Sequence, residues 1–302
     1  MVERSLHLRR NLNNYEKTYS LLVIITPVLV TLYSIATKMI FQIHFATLIL
    51  FILCYCATVL GVTLGFHRML THRSFKANRV TKIILVSLGC MSYEGPPIFW
   101  VAAHRRHHKY TDREYDPHSP LNQNSKWKGL FHAHVGWMWH HQLEDWRHYA
   151  SDLLADKDIK LLNQYYILIA LLGLILPGVI NGLIYLSWYQ FYVGIIICGF
   201  VRVFLQQHVT WSINSICHVW GKRDFKSADN SKNNWLFAIL ALGEGWHNGH
   251  HAFPASSCHG LKKGQIDVSY EVIKLLNYLG CISDVKIPKQ SQIDDMLIIK
   301  ET

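Results

Sequence analysis

The chain has 302 residues, room for one large domain or two modest ones; half are hydrophobic and only 17% charged, which argues against an ordinary soluble domain. A formal charge of +10 would point to nucleic acid in a soluble protein. Beside long apolar runs it reads instead as loops facing an anionic cytoplasmic leaflet, with no nucleic-acid partner.

In chain order, Met1 to Lys17 is basic and polar without a cleavable signal pattern. The apolar run that follows is too long for a signal core and is expected to stay as an anchor. A hydrocarbon core of about 30 Å needs roughly 20 apolar residues in a helix. Spans are therefore predicted at 19–36, 46–66, 165–186 and 188–205, forming two helical hairpins with short connections on one side. The polar sequence left on the other side carries Arg9, Arg10, Lys17, Arg68, Arg73, Lys76, Arg79 and Lys82. The positive-inside bias makes that side cytoplasmic. Residues 67–164 and 206–284 are expected to form one cap there, completing a single domain. Val80 to Gly89 and Trp235 to Leu242 are too short to span and read as core, re-entrant or interfacial helices. Asp145 to Leu162 reads as a polar helix joining the halves, and the tail from Val285 carries no readable role. The seven cysteines form no CxxC pair, which places the cap in a reducing compartment.

The histidines dominate the chemistry. His67 and His72 form an HxxxxH cluster; His104, His107 and His108 form HxxHH, as do His247, His250 and His251. Positions i, i+3 and i+4 share one helix face, so each HxxHH triplet converges on a common site. His67 and His72 would diverge on an ideal helix and fit best where the second span ends and its backbone can relax. Eight imidazoles exceed what one ion takes and imply a dinuclear centre, although imidazole alone does not name the metal. His7, His44, His132, His134, His140, His141, His148 and His259 read as surface or structural residues, and His118 as a structural or outer residue. There is no HExxH arrangement; Glu244 is the only carboxylate close to the third cluster, and no Ser or Cys nucleophile sits beside a base. A metal pair that activates oxygen to attack an unactivated C–H bond is what remains.

The segments His67-Arg-Met-Leu-Thr-His72-Arg-Ser-Phe75, Gly95-Pro-Pro-Ile-Phe-Trp100, Asp116-Pro-His-Ser119 and Glu244-Gly-Trp-His-Asn-Gly-His-His-Ala-Phe-Pro254 resemble, in this order, the membrane fatty-acid desaturases of the stearoyl (Δ9) type. These belong to the wider membrane di-iron oxidase superfamily, and the likeness is closest to bacterial members. It implies an all-α membrane protein: four transmembrane helices under a cytosolic helical cap that holds two irons, with a bent hydrophobic tunnel. It also implies a ninth ligand, His218 in Asn214-Ser-Ile-Cys-His218, and an iron contact for Asn214 through water. Trp100, Thr210 and Trp211 become candidate substrate contacts, with Arg105 and Arg106 placed to meet a phosphate. The implied reaction removes two hydrogens from adjacent methylenes, using O2 and a separate electron donor such as a ferredoxin, cytochrome or flavin reductase.

His247 stands where front-end desaturases have glutamine, which favours a Δ9 enzyme. Ala102-Ala103 replaces an Arg-Asp pair of animal acyl-CoA desaturases, and His140-His141 replaces basic residues; both departures draw the reading from acyl-CoA toward membrane acyl-lipid. A bacterial inner membrane is the expected location. The rivals are a lipid hydroxylase or ketolase of the same superfamily and, from another class, a metal transporter with cytosolic histidine clusters. A transporter would carry ionisable residues along its spans, where this chain has only Arg202 near one end.

Overall fold

The computed structural model of the chain describes residues 8–140 and 142–298, so His7, His141 and the ends of the chain lie outside the description. A short strand, β1 (Leu8–Asn11), leads into α1 (Asn14–Ala36). The helix starts five residues before the apolar run because Asn13 caps it. The Asn13 side chain accepts the Glu16 N–H at 2.9 Å, and the Glu16 carboxylate accepts the Asn13 N–H at 2.9 Å.

The second span, α2 (Phe45–Leu60), does not end with its apolar run. It continues through Gly61–Thr71 as a wider helix with i→i+5 hydrogen bonding. After strand β2 (Lys76–Ala77), the amphipathic α3 (Arg79–Cys90) lies along that wide segment without spanning. Their backbones nearly touch: a Cβ on Gly61 would sit 2.2 Å from the Gly89 nitrogen. Small residues at helix contacts permit this approach.

The helix α4 (Pro97–Tyr110) enters the cap, and strand β3 (Gln142–Glu144) pairs antiparallel with β1. The stretch read as one polar helix is three short ones, Trp146–Tyr149, Ser151–Ala155 and Lys157–Gln164. Asp145 starts the first by accepting the Arg147 N–H; the breaks fall at Ala150, which leaves helical geometry at φ −140°, and at Asp156, whose side chain accepts the N–H groups of Asp158 and Ile159. The second hairpin joins α5 (Tyr166–Tyr185) to α6, which starts at Trp188, runs to Ser215 and closes with a tight turn at Ile216–His218. Only Leu186, in the left-handed region at φ 49°, and Ser187 lie between the two helices.

Among the described residues, four helices are thus long and apolar enough to cross a membrane, and both α2 and α6 run beyond their predicted ends, to residues 71 and 218. Apolar side chains such as Leu22, Leu29, Ile52, Leu53, Leu168 and Leu183 stay exposed along them, as lipid-facing residues do. Arg202, inside α6, is fully buried. Its guanidinium donates to the carbonyls of Cys198 at 3.2 Å, Met91 at 2.9 Å and Gly173 at 2.8 Å, knitting α6 to α5 and to the end of α3. The cap is completed by α7 (Trp235–Leu240), α8 (His247–Ala252) and α9 (Val268–Tyr278), with β4 (Ile282–Ser283) pairing to β2. The tail is part of this cap: the Lys286 N–H donates to the Ser74 carbonyl, and the Ile298 N–H to that of Asp224.

The α2–α3 contact leaves no room for a methyl group. Gly61→Ala is expected to cost about 1–3 kcal/mol by overpacking, read as a lower unfolding temperature in detergent, whereas Leu53→Ala on the lipid face leaves it nearly unchanged.

Candidate metal centre

Four elements bring nine imidazoles together: the wide part of α2, helix α4, the last turn of α6 and helix α8. The i→i+5 geometry of α2 settles the first cluster. The His72 N–H donates to the His67 carbonyl at 3.1 Å, and the two rings lie 4.8 Å apart. A five-residue spacing that diverges on an α-helix converges on this wider one.

The side chains divide into two groups whose ligand atoms lie within 4.8 Å of one another: His67, His72, His104, His108 and His250, and His107, His218, His247 and His251. Each HxxHH triplet is shared between them. From α4, the i, i+4 pair His104 and His108 joins the first group and His107 the second; from α8, His247 and His251 join the second and His250 the first.

Ring nitrogens converge inside each group. His250 Nε2 lies 3.1 Å from His67 Nε2 and 2.9 Å from His108 Nε2, and His218 Nε2 lies 3.0 Å from His247 Nε2. Carboxylates behind the rings set their tautomers. His67 Nδ1 donates to Glu244 at 2.6 Å, His107 Nδ1 to Asp116 at 2.9 Å, His218 Nδ1 to Asp112 at 3.1 Å and His251 Nδ1 to Asp229 at 2.9 Å. With Nδ1 carrying the hydrogen, Nε2 presents a lone pair inward, the outer arrangement found behind metal-bound histidines. His72, His107 and His251 each have a buried Nε2 without a hydrogen bond among the described residues. Converging, unpaired lone pairs fit two cations and little else.

The electrostatics agree. Burial first, and then neighbouring imidazoles, push His72, His104, His107, His108, His247 and His250 far below the usual histidine value, which keeps them neutral. Burial works against ionisation of Asp229 and Asp112, but the hydrogen bonds from His251 and His218 outweigh it and hold both carboxylates low. Behind the first group, fully buried Arg68 donates to Glu244 at 3.0 Å and to both oxygens of Asp267 at 3.0 Å. His259 belongs to this network, 3.4 Å from Glu244 and fully buried, so it is structural rather than superficial. His118 stacks on His107, with ring centroids 4.3 Å apart.

A cavity of about 370 Å³ runs from this centre between the helices. His67, His104 and His247 line one end, and Trp100, Thr210, Trp211 and Asn214 line its wall. Trp100 stacks on His104 with centroids 4.9 Å apart. Arg105 and Arg106, read from the sequence as placed to meet a phosphate, do not line it. Arg105 is held by the carbonyls of Leu70, Thr71 and Tyr149 and by Asp152, and Arg106 by the carbonyls of Tyr115 and Gln142 and by Glu144. Their donors bind the cap together. Sequence reasoning missed Asp112 and Asp229, which lie 106 and 22 residues from their histidines. It also missed Glu94, in the cavity wall beside the Gly95-Pro-Pro segment.

The family model described as fatty acid desaturase matches residues 44–266. A hex-5-enoyl-[acyl-carrier protein] acetylenase of Moorena producens is 39% identical over 280 residues, 91% of this chain and 87% of that protein. An acyl-CoA C20 Δ5-desaturase of Anemone leveillei is 39% identical over 77% of this chain and 71% of its own. An sn-1 stearoyl-lipid 9-desaturase of Anabaena variabilis is 37% identical over 77% and 81%.

Removing one outer carboxylate leaves a ligand ring unanchored. Asp229→Asn is expected to lower metal affinity of the four-histidine group by about 10–100-fold. Dialysis against graded chelator with metal analysis reads this as loss of about half the bound metal before the unaltered protein loses any.

Proposed function

The chain belongs to the fatty acid desaturase family, and we propose that it places a cis double bond at Δ9 of a saturated acyl chain carried on a membrane lipid. The observation that carries this reading is one apolar cavity that opens onto two groups of inward-facing imidazole lone pairs. Two irons held there would supply the oxygen activation needed to break an unactivated C–H bond. We assign His67, His72, His104, His108 and His250 to one iron, and His107, His218, His247 and His251 to the other, with Asn214 reaching the second through water.

The balance of the reaction defines what the protein must do. A saturated chain, O2, two electrons and two protons give the monoene and two waters. The imidazoles act as ligands and not as acid–base groups, and burial with neighbouring imidazoles holds His72, His104, His107, His108, His247 and His250 neutral. Trp100 and Trp211 form walls that fix which methylenes face the centre and keep bulk water away. Specificity therefore lies in the cavity. Relatives at similar identity act at Δ5 or make acetylenes, so Δ9 rests on the stearoyl-lipid relative and on the first reading of the motifs.

Lipid is the favoured carrier because Arg105 and Arg106 are held within the cap. Arg10, at the edge of the cavity, is paired with Glu16 through two contacts of 2.7 Å. The basic polar side of the spans supports a cytoplasmic catalytic face in a bacterial inner membrane. Electrons come from a separate donor protein.

The test is expression in a host that makes few unsaturated fatty acids, with mass spectrometry of total acyl chains after double-bond derivatisation. A new monoene with its bond at carbon 9, absent from a His107→Ala variant, is the expected result. A bond elsewhere corrects the position, and hydroxylated chains instead would overturn desaturation.

A further inference from the structure

Glu94 is a carboxylic acid in a cavity read above as the seat of a hydrocarbon chain. The inference drawn from it rests on that reading. The residue sits in a turn between α3 and α4 that is held on every side. Tyr93 and Gly95 flank it in the left-handed region, at φ 66° and 103°. The Gly95 N–H donates to the Tyr166 hydroxyl at 3.0 Å, Gln207 Nε2 donates to the Tyr93 carbonyl at 3.0 Å, and Arg202 to that of Met91 at 2.9 Å. A non-glycine residue in that region persists only where its surroundings fix it. The turn is therefore built to aim Glu94 into the cavity, whose wall it forms with Trp100 and Thr210.

The surroundings offer the carboxyl little. Trp100 Nε1–H donates to its Oε2 at 3.3 Å, whereas Oε1 is buried without a hydrogen bond among the described residues. The titratable and charged groups that face it come from every element around the cavity. They are Tyr55 and His67 of α2, Tyr19 and the Arg10–Glu16 pair of the N-terminal segment, Tyr166 of α5, His104 and His118, and His247 with Glu244. Arg10 is already paired with Glu16, and the Glu244 carboxylate with Arg68 and His67. No free cation is aimed at Glu94 among the described residues.

We propose that Glu94 is a binding residue that meets the acyl chain as a neutral carboxyl group, so that chain binding takes up a proton and weakens as the carboxyl ionises. Burial pushes this carboxyl up to about 7, with Thr210 and Trp100 working the other way. An apolar chain lying against it removes the remaining water and raises it further, which disfavours the charged form. Linkage then fixes the sign. Affinity is full below the value of the empty cavity and falls about tenfold for each pH unit above it, until the value of the filled cavity is passed. Protons thus enter the site with the chain on the alkaline side.

The experiment measures binding, independently of turnover. Tritiated 1-stearoyl lysophosphatidylcholine has no group that titrates near neutrality. It is bound to the purified protein and to Glu94→Gln at a series of pH values. The expected result is an affinity of the unaltered protein about tenfold weaker near pH 8 than near pH 6, and a flat, tight profile for Glu94→Gln. Infrared difference spectra on ligand addition near pH 8 supply a second readout that does not depend on the variant alone. A protonated-carboxyl stretch should appear on binding and be missing in Glu94→Gln. Flat binding in both proteins, or a pH dependence that survives in Glu94→Gln, overturns the role of Glu94 and leaves the cavity as an acyl site. No saturable binding at any pH in either protein overturns the reading of the cavity, and this proposal with it.

Discussion

The structure depends on holding nine imidazoles close together inside a small volume. Protonating any one of them would put a cation among neighbours 4–6 Å away without water to screen it. Burial keeps His72, His104, His107, His108, His247 and His250 neutral, yet a neutral imidazole still carries an N–H that needs an acceptor. Glu244, Asp116, Asp112 and Asp229 supply acceptors for four rings from outside. Those carboxylates bring their own burial problem, and Arg68 answers it for Glu244. The centre is thus three layers deep, from lone pairs to carboxylates to a buried guanidinium, and each layer is costly unless the next is in place.

The same demand shapes the helices. Two histidines five residues apart serve one site here because the backbone between them departs from α geometry, and α2 does so over Gly61–Thr71, the stretch that carries both. Gly61 and Gly65 lie at this contact, where a side chain would strike the α3 backbone. Arg202 has a related task at membrane depth. With three carbonyls from three segments as acceptors, it is satisfied without a carboxylate, and it fixes the end of α3 from which the cavity turn begins.

How much of this was legible in the sequence follows from the range of each interaction. The clusters were legible because i, i+3, i+4 spacing is a local property of α4 and α8, and the spans because apolar length is local too. The ends of the spans were not. Hydropathy stops at Phe66 and Leu205, but α2 and α6 continue as helices where protein takes over from lipid. The polar stretch from Asp145 misled in the opposite sense, since Asp145 and Asp156 look like ordinary helix-surface residues until their side chains are seen capping new turns. His218 carried no local signal and emerged only through the family pattern. Asp229 and Asp112 had no signal of either kind, because nothing in a sequence pairs Asp112 with a histidine 106 residues away.

Arg105 and Arg106 show why charge type is a poor guide to ligands in such a chain. Flanked by the clustered histidines on α4, they looked suited to a phosphate. A helix that turns one face wholly to imidazoles, however, leaves its other face to hold the cap. Guanidinium groups are well matched to that work, because one side chain can satisfy several carbonyls and a carboxylate at once. Arg105 gathers the end of α2, Tyr149 and Asp152, while Arg106 gathers Tyr115 and the β3 strand. With both committed, the polar groups left around the cavity are its histidine-lined end, the Arg10–Glu16 pair, Ser20, Thr63, Thr210 and Asn214, and the turn that carries Glu94, set among aromatic and aliphatic side chains.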